Sequence, residues 1–310
     1  MTSPSSRLPA VSWLYVPGDR PERFAKAAAS GADVVIIDLE DAVVPARKDE
    51  ARANAAAYLR ERAAGDAGAV AVHVRVNDVT TARGLDDLAA LAGLPGLGGV
   101  RLPKVDSAGV LDALDGLAVP AYAVLESAAA ILAAPAIAAH PRVAGVALGE
   151  QDLAAELSVT AATALDQLRL QVVLAAAAAG LPPVPMSVYP DVRDEEGLLA
   201  SCAAGRGIGM FGRAAIHPRQ IPAIRRAFTP TAEETARAAE IAEAAELAER
   251  EGLGAVALPD GRFVDAPIVA RARRTLALAR RLAPPLPDGP HDRPAATAPD
   301  ATSPAARPPA

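Results

Sequence analysis

Short apolar runs alternate along the chain with longer stretches rich in Ala, Leu and Arg. The runs predict strands at Ser12–Val16, Val34–Asp38, Val70–Val76, Gly99–Pro103, Ala121–Leu125, Val143–Leu148, Pro183–Val188 and Gly207–Met210. Several are apolar at successive positions rather than at every second one, which marks strands covered on both faces. The stretches between them predict helices near 21–30, 46–64, 84–92, 107–116, 127–139, 151–157, 162–179, 193–204 and 218–227. Eight such alternations imply a parallel sheet. A closed (β/α)₈ TIM barrel fits the count and the length. The alternative, an open doubly wound sheet, wants a Gly-rich phosphate turn after its first strand, and "VPGDRPERF" offers a single glycine there.

Beyond the eighth unit the pattern changes. An Ala/Glu/Arg helix over Ala232–Glu251 leads into "GLGAVALPDGRFVDAP", and a further helix spans about Ile268–Leu282. The chain therefore divides into a flexible N-terminus (1–11), a barrel (12–230), C-terminal helices (231–283) and a Pro/Ala-rich tail (284–310) whose composition predicts disorder.

Composition removes several classes of function. A net charge of −6 and a pI near 5.4 argue against a nucleic-acid-binding face. Cys202 is the single cysteine, so no internal disulfide forms and a reducing compartment is expected. The N-terminal "MTSPSSRLPA" has no apolar core of signal-peptide length, and no run is apolar enough to span a membrane. A cytoplasmic protein without membrane partners is expected.

The candidate chemistry lies where the strands end. "VVIIDLEDAV" runs from a buried strand straight into Asp38, Glu40 and Asp41. Later strands end in "VRVN" (Arg75, Asn77), "RLPK" (Lys104), "VLES" (Glu126) and "ALGEQD" (Glu150, Asp152), and the last unit runs on to "GRAAIHP" (Arg213, His217). In a barrel these ends share one face, where active sites form. So many carboxylates on one face repel: two at 4 Å cost about 4 kcal/mol at an effective dielectric near 20. A cation or shared protons must offset that. Oxygen donors without a His or Cys cluster favour a hard ion, Mg²⁺ or Mn²⁺, over zinc.

Taken in order, "LYVPGDRPERFAKAAASGADVVIIDLEDAV", "VRVN", "RLPKVDS", "LESAAAI", "ALGEQDLAAEL" and "AAIHPRQI" resemble the citrate lyase β-subunit-like CoA-ester lyases of the HpcH/HpaI aldolase group, over roughly residues 12–270. The resemblance implies a TIM barrel with a C-terminal helical extension and a lid, assembled as a homo-oligomer, a trimer or a hexamer. It implies Mg²⁺-dependent cleavage or formation of the C–C bond beside the thioester carbonyl of a CoA ester. By motif, Glu126 and Asp152 match the metal ligands, and Arg75 matches the arginine that contacts substrate. Glu40 and Asp41 match acids that support the metal's waters and the substrate. Asp265 resembles an aspartate on a lid donated by a neighbouring subunit, where it serves as acid or base. Lys104, Arg213 and His217 are expected near the CoA portion. Two positions depart from the pattern: Ala130 and Ser158 stand where relatives often carry glycine, and Ala130 is expected to narrow the site.

Overall fold

The computed structural model describes residues 9–62, 70–253, 256–258 and 261–282. Seven parallel strands form its centre: β1 (Ser12–Pro17), β2 (Val34–Asp38), β3 (Ala71–Arg75), β4 (Gly99–Leu102), β5 (Ala121–Leu125), β6 (Val143–Leu148) and β7 (Arg213–Ala215). Their order is β6-β5-β4-β3-β2-β1-β7, so β7 joins the far side of β1 and the sheet curls into a TIM-barrel-like wall. Helices follow the strands: α1 (Phe24–Ala28), α2 (Lys48–Glu61), α3 (Ala82–Leu91), α4 (Ala128–Ala138), α5 (Glu150–Leu157), α6 (Ala162–Ala178), α7 (Glu195–Gly207) and α8 (Gln220–Phe228). After β4 a 3₁₀ helix, Ala108–Leu114, takes the place of the expected α-helix.

Strand alternation separates two apolar layers. Val35, Ile37, Val72, Val74, Val100 and Leu102 point outward and join one core with Phe24, Leu59 and Leu88 beneath the helices. Trp13, Val34 and Ile36 point inward and form a small cluster inside the curl. Burying each such side chain contributes about 1.5–3 kcal/mol.

The first six expected strands are present within one residue of their bounds. The last two are not. Pro183–Val188 makes one bridge, Met186 to Arg213, because Pro183 and Pro185 have no N–H to give a ladder. The segment still spans the two edges of the sheet. Toward β7, Phe211 N–H donates to Val184 O (3.0 Å), Met186 N–H to Gly212 O (2.9 Å) and Ala214 N–H to Met186 O (3.0 Å). Toward β6, Ser187 Oγ donates to Leu148 O at 2.7 Å. Gly207–Met210, expected as the eighth strand, is the end of α7 and the turn after it. Gly209 stands at φ +93° and the Met210 N–H returns to Gly205 O at 3.0 Å, a turn that unwinds the helix. The strand itself lies three residues further on, at β7.

The C-terminal extension is a pair of packed helices, α9 (Ala232–Arg250) and α10 (Ala266–Leu282), joined by a short antiparallel hairpin of β8 (Val256–Ala257) and β9 (Phe263–Val264). A capping box starts α9: Glu234 N–H donates to Thr231 Oγ1 (3.0 Å) and Thr231 N–H to Glu234 Oε2 (2.8 Å). Of the expected flexible N-terminus, residues 1–8 lie outside the described residues, as does the expected tail; Val11 is buried, its N–H on Asp33 Oδ2 at 2.7 Å. Among the described residues no helix is long and apolar enough to cross a membrane.

Candidate active site

The C-terminal strand ends open on a cavity of about 360 Å³, lined among others by Tyr15, Arg75, Arg101, Glu126, Asp152 and Ser187. A second cavity of about 750 Å³ lies against α9 and α10, but among the described residues Glu234 is the lone carboxylate in its lining. Converging acids and cations are found in the smaller one.

Arg75 organises its β2–β3 side. Asp38 and Arg75 are partners in register, which brings the two side chains together. Arg75 Nε donates to Asp38 Oδ1 (2.8 Å) and Nη2 to Oδ2 (2.6 Å), a bidentate pair. Its Nη1 lies 2.9 Å from Glu40 Oε2 and 3.1 Å from Asp41 Oδ2. Burial works against the guanidinium's charge, yet Asp38 and Glu40 outweigh it and raise the arginine's pKa. Asp38 also accepts the N–H groups of Glu40 (3.0 Å) and Ala42 (3.2 Å), which turns the chain sharply after β2. Burial pushes the Glu40 carboxyl up to about 7 against the pull of Arg75, and neighbouring Asp41 and Glu126 add to the rise.

Glu126 faces this cluster from the end of β5. Its Oε1 accepts the Lys104 N–H at 2.9 Å. Lys104 adopts φ +56° to aim that donor, a left-handed conformation that costs about 1–2 kcal/mol. Lys104 Nζ stands 3.5 Å from Glu40 Oε1. Burial raises the Glu126 pKa, the Lys104 N–H opposes the rise, and the charge of Asp152 adds to it. Asp152 lies in the first turn of α5. Between the two acids runs Gly149, where a Cβ would stand 2.6 Å from Glu126 Oε2, so only glycine lets the carboxylate lie there. Glu150, the other acid of that turn, is withdrawn into an ion pair with Arg169 (Nε to Oε1, 2.9 Å). Among the described residues no group of three or more His, Cys, Asp or Glu could hold a metal alone. Two carboxylates on one cavity, with room beside them, fit an ion that keeps waters, as Mg²⁺ does, and not a closed zinc site.

The family pattern described as HpcH/HpaI aldolase/citrate lyase matches residues 11–218. The chain belongs to this family. A (3S)-malyl-CoA thioesterase of Cereibacter sphaeroides is 40% identical over 89% of this chain and 96% of its own. A citrate lyase subunit beta-like protein of Mycobacterium tuberculosis is 38% identical over 85% of this chain and 93% of its own. Among solved structures, CitE of M. tuberculosis in complex with magnesium, acetoacetate and coenzyme A superposes with a TM-score of 0.73, at 35% identity over 87% of this chain and 98% of the other.

Within this HpcH/HpaI chain, Arg75, Glu40, Asp41, Glu126, Asp152 and Lys104 gather as the motifs predict. Other expected residues do not join them. Arg213 points outward between β7 and α7, where Nη2 donates to Ser201 Oγ at 2.9 Å, while the next residue, Ala214, lines the cavity. His217 lies in the turn after β7, its Nδ1 accepting the Arg219 N–H at 3.1 Å, outside the cavity lining. Asp265 caps α10, its Oδ1 accepting the Ile268 N–H at 3.4 Å, and does not line the cavity of its own chain. The Ala130 methyl does not narrow the site: it is buried in the outer core, and its N–H donates to the Ser127 cap of α4.

The roles of several residues of the site escaped the sequence reading. Lys48, at the start of α2, is buried, and its Nζ donates to Leu39 O (3.0 Å), Glu40 O (2.9 Å) and Asn77 Oδ1 (2.6 Å), pinning the acidic loop. Asp38 was visible as an acid ending a strand, but nothing in sequence told its structural role from that of Glu40. Arg101, inside "RLPK", is 4% exposed and lies between the rings of Trp13 (5.8 Å) and Tyr122 (5.2 Å). His73 stacks on the same Tyr122 at 4.8 Å, its Nδ1 unpartnered, and burial with the charge of Arg101 lowers its pKa to about 3.

Proposed function

We propose that the protein is a Mg²⁺-dependent CoA-ester lyase. It cleaves or forms the C–C bond of a 3-hydroxyacyl-CoA such as malyl-, citramalyl- or citryl-CoA, giving acetyl-CoA or a homologue and a 2-oxo acid. The single observation that carries this reading is the pair Glu126 and Asp152 flanking Gly149, with Arg75 fixed in the same cavity. Glu126 and Asp152 would hold the ion, and Glu40 and Asp41 would support the waters it keeps. Mg²⁺ bound there supplies a Lewis acid and a template for the hydroxyl and carboxylate of the acyl group. Arg75 presents a preorganised positive charge to the oxygen that becomes enolate. Lys104, with its ammonium beside Glu40, and His217, in the turn after β7, are the residues we place toward the CoA portion. Protonation of the enolate carbon falls to Asp265 of a neighbouring subunit, whose C-terminal helices and lid (231–283) would close the (β/α)₈ barrel of 12–230 against water. The assembly is then a trimer or a hexamer.

Similarity to a malyl-CoA thioesterase favours a second reading on the same site, hydrolysis of the thioester. A third is a subunit that acts on a protein-bound acyl carrier within a citrate lyase-type complex, as similarity to citrate lyase subunit beta suggests. Purified protein incubated with malyl-, citramalyl- or citryl-CoA and Mg²⁺ distinguishes them by product. The lyase gives acetyl-CoA and a 2-oxo acid from at least one of them, the thioesterase free CoA and the hydroxy acid, and the carrier-dependent subunit neither. Glu126→Gln and Asp152→Asn each lower turnover by about a thousandfold. Full turnover in EDTA rejects the metal-dependent mechanism.

A further inference from the structure

The cavity floor holds a cation to which no acid has been assigned. Among the described residues no hydrogen bond or ion pair reaches the Arg101 side chain, and its buried Nε has no partner. Its neighbours are the faces of Trp13 and Tyr122, which favour a cation but accept no ordinary hydrogen bond. Among the described residues no carboxylate pairs with it: Asp38, Glu40 and Asp41 lie on Arg75, and Glu40 also faces Lys104. Arginine does not escape burial by losing its proton. A buried guanidinium without acceptors is therefore a standing cost, relieved only when something anionic enters.

What enters is constrained by the cavity. Arg101 and the acids Glu126 and Asp152 line the same space. Arg101 is in register with Tyr122, four residues before Glu126 on β5, so it sits about 13 Å deeper along the strand direction before its side chain reaches back. A CoA group is too large for a cavity of about 360 Å³ and must leave through the mouth. The acid half of the ligand is what can extend downward. A planar guanidinium matches a planar carboxylate. We infer that Arg101 receives a second carboxylate on the 2-oxo acid half of the substrate, so that this protein selects a 2-oxo dicarboxylate over pyruvate or glyoxylate. The inference rests on the lyase reading above and adds to it the residue that chooses the acid.

Calorimetric titration of the full chain in excess Mg²⁺, with oxaloacetate, 2-oxoglutarate, pyruvate and glyoxylate as probes, tests it. Wild-type protein binds one of the two dicarboxylates at least about tenfold tighter than pyruvate. Arg101→Met brings that acid to within about threefold of pyruvate, with pyruvate itself unchanged. Arg101→Lys keeps part of the preference, and Arg101→Gln, of similar length, loses it should the Met variant not fold. The ligand-free Met variant melts no lower than wild type, since it removes an unpaired charge; a purely structural arginine would lower the melting point and leave selectivity intact. Mg²⁺-dependent binding of all four acids without preference, or a preference that survives Arg101→Met and Arg101→Gln, overturns the inference alone. No binding of any of the four overturns it together with the lyase reading.

Discussion

Three carboxylates hold Arg75 before any ligand enters, and that fixes what the residue can do. Its fork is bidentate on Asp38, so a lysine cannot reproduce the geometry even though it keeps the charge. Arg75→Lys is expected to lower kcat/KM by about a hundredfold or more while Mg²⁺ affinity stays close to wild type, read by steady-state kinetics and metal titration. His73 gives a second test away from the chemistry. Its native pKa is about 3, below its ordinary value, because burial and Arg101 disfavour the imidazolium. Unfolded chains take up a proton below about pH 6.5 that the native protein refuses, so this residue's contribution is present above that pH and is lost as the pH falls toward 3. Over that window it removes about 1.4 kcal/mol of stability per pH unit, and His73→Phe, which keeps a ring on Tyr122, is expected to flatten the acid limb of urea denaturation midpoints plotted against pH. An unchanged slope rejects the assignment. At this scale the motifs revealed Glu126, Asp152 and Arg75 because acids and cations at strand ends have few structural uses. They could not reveal Arg101 or Lys48, whose roles come from what surrounds them in space.

Among the elements, strands β1 to β6 were legible because β-branched runs bounded by helix-forming stretches leave little choice. The 183–188 segment and β7 were not. Prolines remove the first from regular pairing, and the second is short and defined by partners distant in sequence. The fate of Ser158 was equally hidden. It ends α5 at φ +54°, the left-handed position that glycine takes without strain. Ser158→Gly is expected to stabilise the protein by about 0.5 kcal/mol, the relief of strain exceeding the added unfolded-state entropy. A urea midpoint that falls instead would show that the serine side chain carries a contact of its own.

For the whole molecule, the decisive question is whether the C-terminal extension serves its own barrel or another. Asp265 stands apart from the cavity of its own chain. If it acts across a subunit boundary, Asp265→Asn and Glu126→Gln, each inactive alone, recover about a quarter of wild-type activity when unfolded together and reassembled, because mixed neighbours contain some intact sites. No recovery above the separate variants places the acid elsewhere. The overall topology was legible from alternation alone; the incomplete pairing of its last staves was not.

That incomplete pairing has an evolutionary side. A wall knitted shut by backbone ladders fixes its bore, since any change of shape there must unravel a row of bonds. From Pro185 to Val188 the lining is tethered mainly by Met186 and one serine hydroxyl. Residues on this stretch can be exchanged, and the pocket recut for acids of other lengths, while the opposite wall keeps its carboxylates in place.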